Sequence, residues 1–245
     1  MTPEVIVMLA TPTFGGISKR LHEPEVRYFL NGPQVTYSQG QSLPLASEDA
    51  RIVRRGWVLA ERRLPRGIVQ TIRIYQPGDL LDDSDGAWTD LVAACAVTIT
   101  RVPPAIRGSA SFKVYVDADE KTKVRQMIEH MVRLGRLPAL QRMAQWLLEI
   151  DARYRSANPG TNDAISLPLT QTHMANYLAL SPVHINRTLM FLRREAVLEI
   201  RPAFRVLDRA RLKDIASWTS TDPAKREPQL AEISTRKAHG VQLSA

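Results

Sequence analysis

The chain has 245 residues, a hydrophobic content of 44% and a formal net charge of +8. These values suit one large domain or two small ones with real hydrophobic cores. The single cysteine excludes an intrachain disulfide and an iron–sulfur cluster built within one chain, which needs about four thiolates. No apolar run is long enough to span a bilayer, and the N-terminal VIVMLA lacks the basic residues that precede a secretory signal core. We therefore expect a cytoplasmic protein with no membrane partner.

Short β-prone runs broken by glycine and proline fill the N-terminal half. Pro65-Arg66-Gly67 and Pro77-Gly78 each stand between two such runs, as hairpin turns do. This punctuation predicts a β-roll or a barrel, which we expect to reach Val116. The acidic segment 79–90 fits part of a calcium-loop pattern, but Leu81 and Val92 would occupy its first and last ligand positions. We therefore interpret the segment as a polar turn and predict no metal site.

The sequence contains no constellation of residues typical of an enzyme. Its five histidines are scattered without an HExxH pair, and no serine or cysteine lies in a nucleophile elbow. No glycine-rich phosphate loop is present either. We therefore predict no catalytic residues and no enzymatic activity.

The pattern becomes helical from Asp117. Apolar residues then recur at three- and four-residue spacing, and they are Val124, Met127, Ile128, Met131 and Leu134. This set, which we call the apolar seam, is of the coiled-coil type and can pair with its copy in a second subunit. We favour dimerisation, because a long apolar edge would otherwise be exposed. The alternative is that the seam packs on the chain's own β-domain. A second helix is predicted after Gly135 and Pro138.

Two short helices joined by a tight turn are predicted between Leu167 and Leu192. Thr170 can cap the first helix, and Ser181 followed by Pro182 can begin the second. The second helix has one apolar face, formed by Ile185, Leu189 and Leu192. The opposite face carries Val183, Arg187, Met190 and Arg194. Such a helix can enter a DNA major groove, although an ordinary amphipathic helix pair with a solvated outer face is the alternative.

A β-hairpin is predicted directly after this helix, where a wing would lie. Its strands cover residues 197–201 and 204–207, and Arg201 and Arg205 flank its tip, within reach of a phosphate backbone. A short helix over residues 209–216 follows, and the polar stretch 217–245 is expected to be disordered. Most of the excess positive charge lies between residues 117 and 216, which suits a phosphate-binding face.

The order of these elements resembles that of the Crp/Fnr family of bacterial transcription regulators. Pro77-Gly78-Asp79 and the run LPLTQTHMANYLALSPVHINRTLMFLRRE, Leu167 to Glu195, carry the resemblance, which covers roughly residues 35–216. It implies an α+β fold with a jelly-roll-like β-roll sensor domain of the cyclic-nucleotide-binding type, a long dimerisation helix and a winged helix-turn-helix domain. We place these three units at residues 1–116, 117–135 and 136–216, followed by a tail at 217–245.

The resemblance also implies a homodimer that binds a partly palindromic operator, with one recognition helix in each half-site. By family position Pro182, Val183 and Arg187 face the bases, with Arg187 bonding guanine and Val183 making a methyl or van der Waals contact. His184 and Asn186 lie next to that face. The other residues that we assign to the DNA-binding surface are Thr170, Gln171, Ser181, Arg201 and Arg205.

The chain departs from the family pattern at two places. Ala179 stands where such turns usually have glycine, which costs about 1 kcal/mol if its φ is positive. Members that bind cyclic nucleotides follow the glycine-acidic turn with an arginine that pairs with the phosphate. Here no arginine occurs between Gly78 and Arg101, and the five acids in that stretch would repel a phosphate. We therefore predict no cyclic AMP binding and no cofactor.

The sequence thus predicts a sequence-specific, dimeric DNA-binding transcription regulator whose effector is unknown. Its expected partners are double-stranded DNA and a second copy of the chain, with RNA polymerase as a further candidate. The alternative is a signalling module whose β-domain binds a ligand or a protein while the helix pair is only structural.

Overall fold

A computed structural model of the chain describes Tyr28 and residues 31–46, 50–157, 165, 167–200 and 204–216. Within these residues the chain forms nine strands and seven α-helices, so its class is α+β, as predicted. The predicted tail at 217–245 lies outside the described residues.

Two antiparallel sheets form the N-terminal β-domain. The first contains, in spatial order, β1 (Gln34–Tyr37), β7 (Val97–Arg101), β2 (Ala50–Arg55) and β5 (Leu80–Asp82). The second contains β4 (Val69–Tyr75), β3 (Val58–Arg63) and β6 (Asp90–Ala93). Inward-facing side chains of both sheets, among them Val53, Val58 and Ile99, make a common core. This arrangement is the predicted β-roll.

The predicted hairpin at Pro65-Arg66-Gly67 is present, whereas the prediction of a hairpin at Pro77-Gly78 is wrong, because the flanking strands β4 and β5 lie in different sheets. Residues Pro65–Gly67 form a single turn of 3₁₀ helix between β3 and β4. At the second turn, Gly78 has φ 94° and its N–H donates to the carbonyl of Val53 at 2.8 Å. A positive φ of this kind is the conformation that glycine adopts at little cost.

The acidic segment 79–90 is more ordered than a polar turn, so that prediction is wrong. Leu80 and Leu81 are fully buried and pair with β2 as strand β5. The short helix α1 (Asp83–Trp88) then follows. The burial of two leucines inside an otherwise acidic stretch explains the difference, because apolar pairs of this kind favour a strand with a covered face.

The helical part of the chain begins with the short α2 (Pro104–Arg107) and the long α3 (Ala110–Arg136). The predicted start of the long helix at Asp117 is wrong, because α3 begins at Ala110. The Ser109 side chain caps α3 by accepting the N–H of Phe112 at 3.2 Å. Phe112 and Tyr115 are then buried against the β-domain, so the first turns of α3 are packed helix.

The remaining elements form the C-terminal domain. They are α4 (Ala139–Ala157), α5 (Gln171–Leu178), α6 (Pro182–Arg194), the hairpin β8 (Leu198–Glu199) and β9 (Arg205–Val206), and α7 (Arg209–Ala216). Their core is continuous with Trp57, Leu59 and Ile74 of the β-domain. The helix pair α5–α6 is therefore anchored on the rest of the chain.

The apolar seam lies on the uncovered side of α3. Four of its five residues are 52–67% exposed, and Leu134 is half-buried. About half or more of each of those four side chains is thus uncovered, while Val124 and Met127 also line a cavity together with β4 of the β-domain. The side of α3 next to the seam buries Phe112, Tyr115, His130 and Arg133. No helix in the described part of the chain has both the length and the apolar character needed to cross a membrane.

Candidate nucleic-acid interface

The helix pair α5–α6 begins with two side-chain caps, both at the predicted residues. The Thr170 hydroxyl accepts the N–H of His173 at 3.1 Å, and the Ser181 hydroxyl accepts the N–H of His184 at 3.3 Å. In return, the Thr170 N–H donates to Nδ1 of His173 at 3.4 Å, which completes a capping box. This second bond could not be predicted from the sequence, because the residue three positions after the cap in such a box is usually Glu or Gln.

The turn between α5 and α6 is left-handed at Ala179, the position where glycine is usual in the family. Ala179 has φ 50° and ψ 49°. The N–H groups of Ala179 and Leu180 both point to the carbonyl of Ala175, which closes the C-terminus of α5. The turn thus keeps its shape despite a Cβ, at a cost of about 1 kcal/mol.

The two faces of α6 separate as predicted. Ile185, Leu189 and Leu192 are buried, and Thr188 joins them. On the opposite face Val183 is 67% exposed and Met190 is 54% exposed, and Arg187 and Arg194 are exposed as well. No described residue covers this outward face, which we define by Val183, Arg187, Met190 and Arg194.

The other residues assigned to the DNA-binding surface can be located in the structure. Exposed positions are occupied by Thr170, Gln171, Ser181, Pro182, His184, Asn186 and Arg205. The side-chain amide of Gln171 donates to Asn186 Oδ1 at 3.4 Å, which links the two helices at the surface. Arg205 lies on β9 of the wing, whereas Arg201 lies outside the described residues.

The charge on the outward face is available to a partner. Arg187 makes no ion pair or hydrogen bond with any described residue. Arg194 makes an exposed ion pair with Glu195 at 3.8 Å, and its guanidinium lies 5.6 Å from the centre of the Phe191 ring. Exposed ion pairs of this length are weak, about 0–1 kcal/mol, so a phosphate can compete for the arginine.

A buried junction connects α3, α4 and α5 beneath the helix pair. His130 stacks on Tyr177 with ring centres 4.1 Å apart, and Arg133 pairs with Glu149 at 2.6 Å. Burial, helped by the charge of Arg133, lowers the pKa of His130 to about 4. Beside this junction lies a cavity of about 260 Å³, lined by side chains of β4, α3, α4 and α5.

The acidic residues near the β-domain loop surround one lysine. Lys123 of α3 bonds Asp82 at 2.7 Å and Asp85 at 2.8 Å, and lies 3.5 Å from Asp119. Burial raises the pKa of Asp119 to about 6, against the opposing effect of Lys123. The single ammonium group is therefore already shared among three carboxyl groups.

Comparisons with known proteins agree with this geometry. Residues 141–215 match the family model of the Crp-like helix-turn-helix domain. The nitrogen fixation regulation protein FixK of Bradyrhizobium diazoefficiens is 27% identical over 214 residues, which is 82% of this chain and 90% of that protein. The chain is therefore similar to transcription regulators of the Crp/Fnr type, and its C-terminal part matches their helix-turn-helix domain.

Solved structures of Crp/Fnr-type proteins have the same fold. The structure of FixK2 from Bradyrhizobium japonicum gives a TM-score of 0.66 at 22% identity, covering 77% of this chain and 98% of that one. A CRP-family transcriptional regulator from Thermus thermophilus gives 0.58 at 18% identity, covering 76% of this chain and 97% of that one. The resemblance of the sequence to the Crp/Fnr family is thereby confirmed.

Proposed function

We propose that this Crp/Fnr-type regulator is a sequence-specific DNA-binding protein that reads the major groove with α6. The observation that carries the proposal is the outward face of α6, which presents to solvent Val183 and an Arg187 with no partner among the described residues. Arginine can bond both acceptors of guanine in the major groove, and a branched apolar side chain can touch a thymine methyl group. The exposed N-terminal residues Thr170 and Gln171 of the first helix are placed to meet phosphates.

We further propose that the regulator acts as a dimer joined along the apolar seam. Val124, Met127, Ile128 and Met131 are each at least half exposed in a single chain. Apolar side chains in a continuous row gain free energy by leaving water, and a matching row is offered by a second copy. Two α6 helices related by a two-fold axis would meet two half-sites about one helical turn of DNA apart.

The proposed regulator does not use cyclic AMP as its effector. In the described part of the loop after Gly78, carboxylates of Asp82 and Asp85 surround Lys123 and satisfy its charge. A phosphate placed there would meet more negative than positive charge. Calorimetry with cyclic AMP is expected to give no binding heat, and a micromolar affinity would overturn this part of the proposal.

We propose the cytoplasm as the compartment, because the protein must reach DNA there. We propose no enzymatic role, because the relatives that the chain resembles are regulators. We propose RNA polymerase as a further partner, since regulators of this type act on transcription. The competing function is a ligand- or protein-binding signalling module, which the cavity beside His130 favours. In that case α5 and α6 would only pack.

A selection experiment separates these functions. Duplexes are selected from a randomised pool with the full-length protein, and the affinity for the selected duplex and for an unrelated duplex is measured by mobility shift at several salt concentrations. We expect preference for the selected duplex and an affinity that falls with salt, because counterions are released from the phosphates. If the protein binds no duplex even at low salt, the DNA-binding proposal fails and the signalling module is favoured.

A further inference from the structure

Arg142, which no sequence motif singled out, binds carbonyl groups of two separate chain segments. Its Nε–H donates to the carbonyl of Leu137 at 2.7 Å. Its Nη1 group donates to the carbonyls of Leu178 at 3.1 Å and Ala179 at 3.4 Å. Leu137 is the C-cap of the long helix α3, whereas Leu178 is the last residue of α5 and Ala179 is its C-cap. One half-buried guanidinium therefore ties the end of the seam helix to the turn before α6.

Both segments have carbonyl groups that need such a donor. The last carbonyls of a helix have no partner within it and carry partial negative charge. In α5, which has only eight residues, the next residue is already in the left-handed conformation. A positively charged, planar group with several N–H donors can satisfy carbonyls from both sides at once, which the single ammonium of lysine does less well.

The position of α6 depends on this turn. Its cap Ser181 and first residue Pro182 follow Ala179 closely, so a shift of the turn moves the whole outward face. We propose that Arg142 is a positioning residue that fixes α6 relative to α3. Because the seam on α3 would set the two-fold axis, Arg142 then sets where each α6 meets its half-site. This inference rests on the proposed DNA-binding function.

The test compares Arg142→Met with the matched control Arg136→Met. Both remove one positive charge close to the junction of α3 and α4, but Arg136 is exposed and lies at the end of α3. Each full-length variant is measured by fluorescence anisotropy on the duplex that the unaltered protein selects from a randomised pool, and on an unrelated duplex. Hydrogen exchange of the backbone amides between residues 178 and 184, among which Pro182 has no N–H, is measured without DNA.

We expect Arg142→Met to bind the selected duplex about tenfold more weakly than Arg136→Met does, a loss comparable to one good base contact. The two variants should bind the unrelated duplex equally, and exchange at residues 178–184 should be faster only in Arg142→Met. Affinities for the selected duplex within about twofold of each other, in folded proteins, would overturn the inference.

Two further outcomes are also decisive. If Arg142→Met does not fold, the same measurements are made on Arg142→Lys. Weaker binding to the selected duplex than the unaltered protein shows, together with faster exchange at residues 178–184, supports the positioning role. Binding and exchange equal to those of the unaltered protein refute it. If the unaltered protein binds no duplex, the proposed function fails. The exchange of residues 178–184 in Arg142→Lys then tests only whether Arg142 holds the turn before α6 in place. Exchange equal to that of the unaltered protein would refute this structural role as well.

Discussion

Helices α3 and α6 each leave one face uncovered, and the two faces differ in chemistry. On α3 the uncovered face is the apolar seam, with Met131 67% exposed. On α6 the uncovered face is mixed: Val183 is also 67% exposed, and the exposed Arg187 lies beside it. An apolar row gains free energy only when it leaves water, whereas arginine gains most from ordered acceptors such as phosphates and base edges. Equal exposure in two helices therefore suits two different partners, a second copy of the chain and a nucleic acid.

A charge placed in the seam gives the α3 face some of the polar character of the α6 face. We expect the largest effect of all the substitutions here, on the dimer dissociation constant. We expect Met131→Asp to weaken dimerisation at least about 100-fold, since a carboxylate would have to be buried in each of two copies. Analytical ultracentrifugation measures the dimer dissociation constant. Binding to the selected duplex should fall with it, because half-sites are read in pairs.

Val35→Asp is the matched control for the seam substitution. Val35 lies on β1 and is 53% exposed, so the same kind of change is made at a comparable apolar side chain far from α3 in the chain. Its dimer constant should equal that of the unaltered protein. Equal weakening by both substitutions would mean that the seam is not the interface.

Arg187→Ala tests the α6 face and should have the next largest effect. We expect a loss of about 1–3 kcal/mol on the selected duplex and a relaxed preference at one base position. The control is Arg211→Ala, which removes the same charge from an exposed position on α7. If Arg187→Ala weakens all duplexes equally, and by no more than Arg211→Ala, Arg187 contacts phosphate and the two helix faces differ less than we infer.

The features that could be predicted from the sequence are those set within a few residues. The caps at Thr170 and Ser181 and the two faces of α6 each depend on spacing of three or four residues, which the sequence displays directly. The special conformation of Ala179 is indicated only by the resemblance to the family, in which glycine is usual at this position. The N-terminal bound of α3 could not be predicted, because Phe112 and Tyr115 belong to a β-prone run that packing on the β-domain makes helical.

The contacts beneath the helix pair could not be predicted for a different reason. Arg142 meets Leu178, and His130 stacks on Tyr177, across long separations in the sequence. Nothing in the local pattern around either residue indicates the partner, since both lie within ordinary amphipathic helices. Such contacts follow from how the helices pack, and only the assembled fold specifies them.

His130→Phe tests the buried side of α3. This side packs against the helix pair through the stack of His130 on Tyr177. In the unaltered protein an unfolded His130 takes a proton below about pH 6.5, whereas the folded imidazole, with its pKa lowered by burial, stays neutral down to about 4. The unfolded chain therefore binds more protons in this window, and His130 lowers the unfolding free energy as the pH falls. Phenylalanine keeps the stack on Tyr177 and removes two ring nitrogens that have no partner among the described residues.

The expected result is a difference in stability that grows on acidification. From pH 7 to pH 5, the unfolding free energy of His130→Phe should rise by about 2 kcal/mol relative to the unaltered protein, measured by urea unfolding. Asp119 acts in the opposite direction, because its pKa of about 6 lets the folded state bind a proton first. Asp119→Asn should therefore make the acid loss steeper. A constant difference between His130→Phe and the unaltered protein would contradict the buried, neutral histidine.

The smallest effect on the unfolding free energy is expected from a substitution in the turn that leads into α6, which differs from the start of α3. Helix α3 starts from a serine cap with φ −70°, whereas α6 follows a turn in which Ala179 has φ 50°. Ala179→Gly removes the clash of the Cβ and should raise the unfolding free energy by about 1 kcal/mol, even after the extra chain entropy that glycine loses on folding. Ala152→Gly, at an exposed position inside α4, should lower the unfolding free energy by about 1 kcal/mol, because there glycine only weakens a helix. Urea unfolding measures both changes, which should have opposite signs. Destabilisation by both substitutions would show that the turn before α6 is no more strained than the start of α3.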